Sequence, residues 1–165
     1  MSFFKVFCEA VFRVCGEKAL GVIAAFSPKL EAADGKGNGY ETLKELALWL
    51  LVEANVLNKI HWNVDTMNKH TLLNEAYDLC RDTGDKLAET YMSLTGKPCD
   101  KEFPDTPRSV KFDDKAVVGL LKSINDNMKN AVEKNPKFSE GVKNIFADFD
   151  ETMTTILYKY QQFNA

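Results

Sequence analysis

Both histidines of the chain, His61 and His70, lie in one short stretch, nine positions apart. Nine residues of continuous helix would turn the two imidazole rings about 180° apart, so a single ion could not contact both. Asn63, Asp65 and Asn68, which lie between them, are typical cap and turn residues. The sequence therefore predicts a turn, with His61 closing one helix and His70 opening the next.

A row of acidic and amide side chains follows the second histidine. At about 100° per residue these side chains fall within about 120° of one another on one helix face; they are Asn74, Asp78, Asp82, Asp85 and Glu89. Such a row is often only the solvated side of a helix. However, Asp85 and Glu89 are one turn apart, where two carboxylates repel unless a cation lies between them. Imidazole with carboxylate in a helical bundle is the ligand set of non-haem iron and, less specifically, of manganese or zinc.

A second metal-binding pattern covers residues 34–45, which carry Asp, Asn, Gly and Glu at four of the positions of a calcium loop. Lys36 occupies a position where calcium needs an oxygen ligand, so a flexible turn before a helix is the favoured interpretation. Nucleophilic catalysis has little support, because the sequence contains neither a G-x-S-x-G pattern nor a phosphate-binding glycine loop.

The four cysteines, Cys8, Cys15, Cys80 and Cys99, form no C-x-x-C pair and have no histidine near them in sequence. They fit neither a zinc site nor a disulfide framework, so we expect reduced thiols in a cytoplasmic protein.

The composition is that of an ordinary globular domain, with 45% hydrophobic and 27% charged residues and a net charge of −3. This charge supplies no chain-wide attraction to nucleic acid or to anionic lipid. No run reaches the roughly 18 apolar residues that a membrane span requires. At 165 residues the chain fits a single domain over its whole length.

The apolar residues recur at helical spacing and no stretch alternates like a strand, which predicts an all-α protein. Four helices are expected to form a bundle, and they cover residues 41–62, 70–94, about 114–135 and about 139–162. The first is apolar on two sides, so it is either central in the bundle or buried by a partner subunit. Its main strip leads to His61 and its second strip contains Leu48, Trp49, Val52 and Val56.

An additional N-terminal amphipathic helix is predicted over residues 1–27, with Phe4, Phe7, Val11 and Val14 on one stripe. Its polar side carries too little positive charge for a membrane-surface helix. We therefore expect it to cover the domain, to contact another subunit, or to bind a partner whose identity the sequence does not give.

The run Lys-Ile-His-Trp-Asn at 59–63, followed by His70 and by Asp85-x-x-x-Glu89, resembles the ferroxidase segment of the Dps-like branch of the ferritin-like superfamily. The resemblance covers roughly residues 41–162 and is most specific over 59–96. It implies a ferritin-like four-helix bundle that binds iron at a twofold interface, with His61 and His70 from one chain and Asp85 and Glu89 from the other. It further implies that peroxide or dioxygen oxidises the bound Fe²⁺ there, and that the subunits assemble into a hollow dodecameric shell that stores the product.

Three departures from the family pattern shape these expectations. The two histidines are nine positions apart, a shorter connection than is common in the family. Asn74 stands where the family has an acidic residue four positions after the second histidine, and Asp78, one turn on, is the candidate replacement. The Lys-rich N-terminal tail that the family uses on DNA is absent, so no direct DNA binding is expected. The alternative hypothesis is a metal-free helical bundle that has kept the fold but lost the site, and that binds or inhibits a partner through the apolar N-terminal helix predicted over residues 1–27.

Overall fold

A computed structural model describes residues 40–99 and 113–163 of the chain. These residues form four α-helices and no β-strand, which confirms the all-α prediction for this part of the protein; the helices are α1 Tyr40–His61, α2 Met67–Thr95, α3 Asp114–Lys134 and α4 Glu140–Gln162. The predicted amphipathic helix over 1–27 and residues 34–39 of the candidate calcium loop lie outside the described residues.

Three helices begin where a short polar side chain can cap them. Thr66, Asp113 and Ser139 each have an extended backbone, and each side-chain oxygen accepts a hydrogen bond from the backbone N–H three residues later. The starts predicted at Asp113 and Ser139 are confirmed. Thr66 caps α2, so Asn63 and Asp65 lie in the turn before it and Asn68 lies within the helix.

Gly96 ends α2 in the left-handed conformation, with φ at 67°. Its backbone N–H donates to the carbonyl of Met92 at 2.9 Å. A residue without a Cβ is favoured at this position because side chains rarely adopt positive φ. The helix predicted to end at residue 94 ends at Thr95, and the glycine that follows is the physical cause.

The helices pack as two hairpins around one core. The largest interface joins α1 to α2, α3 pairs with α4, and α4 also lies along α2, whereas α1 and α3 touch at only a few residues. Both apolar strips of α1 are buried, and the members of its second strip, Leu48, Trp49, Val52 and Val56, are each at most 8% exposed. Among the four described helices, none has the combination of length and apolar character needed to cross a bilayer.

A buried lysine joins three helices at one end of the bundle. The ammonium group of Lys69, near the start of α2, lies 2.7 Å from an oxygen of Asp114 at the start of α3 and 3.2 Å from Asp65 in the preceding turn. The Tyr160 hydroxyl, near the end of α4, donates to the other oxygen of Asp114 at 3.1 Å. The hydrogen bond to Asp114 raises the pKa of Lys69 above its usual range, against the opposing effect of burial. This network fixes the end of the bundle that carries both histidines.

The helices α1 and α2 approach each other closely at Gly84. A Cβ placed there would lie 3.0 Å from the carbonyl oxygen of Ala47 and 3.2 Å from the side chain of Leu51. The Ala47 oxygen belongs to the backbone of α1 and cannot rotate away. The absence of a side chain at Gly84 thus sets how closely the two helices pack.

We expect Gly84→Ala to destabilise the protein by about 1 kcal/mol, because overpacking outweighs the gain in helix propensity. Gly119→Ala is the matched control, since that helical glycine has no atom within 4 Å of the added Cβ. The control should gain about 0.5–1 kcal/mol. Urea unfolding measures both, and equal stabilisation by the two substitutions would contradict the close packing.

Candidate metal centre

The structure brings the two histidines together across the turn between α1 and α2. His61 is the last residue of α1 and His70 lies in the first turn of α2. Their ring centroids are 4.6 Å apart and the ring planes are inclined by 46°. His61 is 7% exposed and His70 is half-buried. The predicted turn and the predicted proximity of the two rings are therefore both present.

The turn provides hydrogen-bond donors for the free carbonyls at the end of α1. The last four carbonyls of any helix have no partner within it. Here the Nδ2 amide of Asn63 donates to Lys59 at 2.7 Å and its backbone N–H donates to Ile60 at 2.8 Å. The two remaining carbonyls, those of Asn58 and His61, are bound by the histidine rings.

These ring contacts fix the proton positions on both imidazoles. Nδ1 of His61 is 2.6 Å from the carbonyl oxygen of Asn58, and Nδ1 of His70 is 2.9 Å from the carbonyl oxygen of His61. A carbonyl oxygen only accepts, so each Nδ1 must carry the proton and donate it. In the neutral ring Nε2 then has a free lone pair, and no hydrogen bond to either Nε2 is found within the described residues. This is the arrangement of metal-binding histidines, in which a backbone carbonyl orients the ring through the nitrogen that does not bind the metal.

The ring separation limits the geometry of any ion that both rings would share. If both Nε2 atoms were directed at one ion at metal–nitrogen distances of about 2.0–2.1 Å, centroids 4.6 Å apart would correspond to a nitrogen–metal–nitrogen angle of roughly 95°. The imidazoles would therefore occupy adjacent positions, and the rest of the coordination sphere would be open to other ligands.

The predicted carboxylate ligands lie elsewhere on the same chain. Asp85 is fifteen residues beyond His70 on α2, a rise of about 22 Å along the helix, and Glu89 is one turn further. Both are exposed. A single chain cannot bring them to the histidines, so their predicted role requires a second subunit and stays a prediction.

Asp78, the candidate replacement for an acidic residue at position 74, is two turns beyond His70, about 12 Å along the helix axis. It forms an ion pair with Arg81 at 3.2 Å and accepts a hydrogen bond from the amide of Asn74 at 3.1 Å. Arg81 also pairs with Asp82 at 3.0 Å. Within residues 40–99 and 113–163, no group of three or more His, Cys, Asp or Glu side chains is placed to hold an ion. Of the predicted ligands, the structure thus brings together only the two imidazoles.

The described cysteines offer no reactive thiol at this centre. Cys80 is fully buried between α1 and α2, and burial raises the pKa of its thiol well above the usual range, to which the nearby Glu53 carboxylate adds. Cys99 is half-buried beyond the end of α2, and both thiols are free. Cys8 and Cys15 lie outside the described residues.

Glu53, which our sequence analysis did not single out, is a carboxyl group in the core, only 2% exposed. Burial raises its pKa to about 7, and the weaker opposing effect of Trp49, one turn earlier, lowers it only in part. The indole Nε1 of Trp49 is itself buried and reaches no partner in hydrogen-bonding geometry among the described residues. One feature of the sequence could have revealed this buried carboxyl group. Glu53 is a lone acidic residue beside an apolar strip, three positions before Val56 and four after Trp49.

Because the pKa of Glu53 is about 7 in the folded protein and about 4.5 in the unfolded chain, the folded state holds the proton more tightly. Its contribution to stability is complete below pH 4.5, falls as the pH rises towards 7, and is lost above pH 7. The total change is on the order of 3 kcal/mol. Urea unfolding from pH 4.5 to 8 should therefore show Glu53→Gln gaining about that much relative to the wild type across this range.

Glu75→Gln, at an exposed position of α2, is the matched control and should keep a constant difference from the wild type. If the difference in unfolding free energy between Glu53→Gln and the wild type did not change with pH, the Glu53 carboxyl would be ionised in the folded protein over the whole range from pH 4.5 to 8.

Comparison of the chain with protein-family models, with curated proteins and with solved structures gave no match. The functional conclusion therefore depends on the chemistry of the centre itself.

Proposed function

We propose that the chain is a ferritin-like protein of the Dps-like type that binds Fe²⁺ as its substrate at a site shared by two subunits. His61 and His70 of one chain would bind the ion together with Asp85 and Glu89 of the partner subunit. The observation that supports this most strongly is the histidine pair, because both rings are held in the tautomer that leaves Nε2 available to a metal.

The spacing along α2 gives the register of such a dimer. If His70 faces Asp85 of the partner subunit, two α2 helices run antiparallel with the twofold axis near Tyr77 and Asp78, midway between the two positions. His70, Tyr77, Arg81 and Asp85 lie within about 80° of one another on α2. They therefore share one strip of the helix, and the same strip is available on both chains of an isologous contact.

The proposed ligand set suits the oxidation of Fe²⁺ to Fe³⁺. Two imidazoles in adjacent positions leave room for two carboxylates and for the oxidant, dioxygen or peroxide, which takes the electron from each ferrous ion. The negative charge of Asp85 and Glu89 stabilises the higher charge of the product. The exposed carboxylates of α2 would lose their mutual repulsion when a cation binds between them. Storage or detoxification of iron is the corresponding biological purpose.

The metal-free alternative is favoured by a specific observation as well. His61 and His70 satisfy two carbonyls at the end of α1, which accounts for both rings as helix-capping groups without a metal. Trp62 and Met67, at the same end, are 66% and 76% exposed and offer an apolar surface to a partner protein. The experiment below decides between the two functions.

Complementation between two inactive chains tests the shared site. His61→Ala/His70→Ala and Asp85→Ala/Glu89→Ala chains should each bind no iron at the site. A dimer of one with the other contains one intact site, because one chain supplies the histidines and the other the acids. Random mixing of equal amounts should therefore restore about a quarter of the wild-type iron and ferroxidase activity, measured by metal analysis and by the absorbance of the ferric product.

Asp82→Ala, a substitution on the same helix outside the proposed ligand set, is the control and should retain full iron binding. A wild-type chain that binds no more iron than the histidine double variant would overturn the proposal. So would a stable monomer by light scattering, or a mixture that recovers no sites.

A further inference from the structure

We propose that the same end of the bundle holds a Cu(I) site built by one chain alone, with His61, His70 and Met67 as its ligands. The inference goes beyond the proposed iron function, because it uses the same two imidazoles but needs no residue from a partner subunit. Its third ligand, a thioether, belongs to no part of the proposed iron site.

The position of Met67 brings a sulfur atom within reach of the histidine pair. Met67 is the first residue of α2 and His70 follows three positions later, so their side chains are neighbours on the helix surface, with Cβ atoms about 5–6 Å apart. Met67 is 76% exposed, so its side chain is not held by the core. Its three rotatable bonds allow the thioether to turn towards the ring of His70.

The donor set at this end of the bundle matches a soft ion better than a hard one. Hard divalent ions need several oxygen ligands, whereas a thioether selects Cu(I) and imidazole is a suitable ligand for copper as well. The described residues place no acidic group with the two histidines in a cluster of three. Two imidazoles fill only part of the coordination sphere of a metal ion, so a position would remain for the Met67 sulfur.

The two imidazole rings are also oriented before any metal binds. His61 is 7% exposed, and its Nε2 has no hydrogen-bond partner among the described residues. Both rings are already oriented by backbone carbonyls, so binding costs little ring reorganisation. Trp62, exposed with its ring centroid 5.8 Å from that of His61, provides a fluorescent reporter beside the site.

Competition of the full chain with a chromophoric Cu(I) chelator, under anaerobic reducing conditions, tests the proposal. Because thiols also bind Cu(I), Cys8, Cys15 and Cys99 are replaced by Ser in every chain compared, and this parent chain should bind one Cu(I) with quenching of tryptophan fluorescence. Met67→Leu, which keeps the apolar side chain but removes the sulfur, should weaken Cu(I) binding at least about tenfold and leave Zn²⁺ binding unchanged.

Met92→Leu is the matched control, since Met92 is an exposed methionine of α2 about 37 Å further along the helix. It should bind Cu(I) as the wild type does. Equal Cu(I) affinity of Met67→Leu and Met92→Leu would overturn the proposed ligand set, as would binding that persists in His61→Ala/His70→Ala.

The copper proposal and the iron proposal can each be contradicted without affecting the other. Asp85→Ala/Glu89→Ala should abolish iron binding and leave Cu(I) affinity unchanged, because copper uses no carboxylate. Loss of Cu(I) binding in that variant would overturn the single-chain site, whereas a wild type that binds Cu(I) but no iron would overturn only the shared iron site.

Discussion

The hydrogen bond from the ring of His70 to the backbone carbonyl of His61 is the contact on which the candidate centre depends. It joins the end of α1 to the start of α2, orients one imidazole and decides which of its nitrogens carries the proton. The second ring is fixed in the same way by Asn58, another carbonyl of the same helix end. Groups that every helix leaves unpaired at its C-terminus thus serve as orienting partners for two candidate ligands.

The rest of the described structure keeps that turn in place. Close packing at Gly84 holds α1 against α2 near the middle of the hairpin. The Lys69 network then ties the start of α2 to Asp114 and, through it, to Tyr160. Only the ammonium group of this ion pair is buried, and its desolvation offsets part of the attraction, so the pair specifies geometry more than it adds stability. The Lys69 network lies at the end of the bundle that carries both histidines, so it helps to fix the geometry of the candidate centre.

Much of the fold was predictable because local rules and core packing agree. The apolar strips of α1, the caps at Asp113 and Ser139 and the glycine stop at Gly96 follow from spacing and side-chain type alone. The bundle-like association of the helices follows from the same strips, each of which must be covered. The proximity of the histidines was predictable from the need for a turn, although Thr66 and not the three residues proposed is the cap.

The features that the sequence left open depend on contacts between distant residues. Nothing local to Lys69 indicates that Asp114, forty-five positions later, receives its ammonium group. The capping role of the histidine rings depends on the exact position at which α1 ends. The buried carboxyl of Glu53 breaks an apolar strip, and a strip interrupted by one acid is usually interpreted as the edge of a helix face. Asp85 and Glu89 are exposed on α2, about 22 Å or more along the helix from His70, so their proposed role beside the histidines requires a second subunit.

The hairpin of α1 and α2 has a consequence for the order of folding. Its helices are consecutive, its turn is short and its interface is the largest in the described bundle. Contacts between residues close in sequence form early, since little chain entropy is lost in closing a short loop. Both imidazoles belong to this hairpin, so we expect the nascent chain to orient them before α3 and α4 dock. A metal ion that bound both rings would then stabilise the folding intermediate that carries them, before the domain is complete.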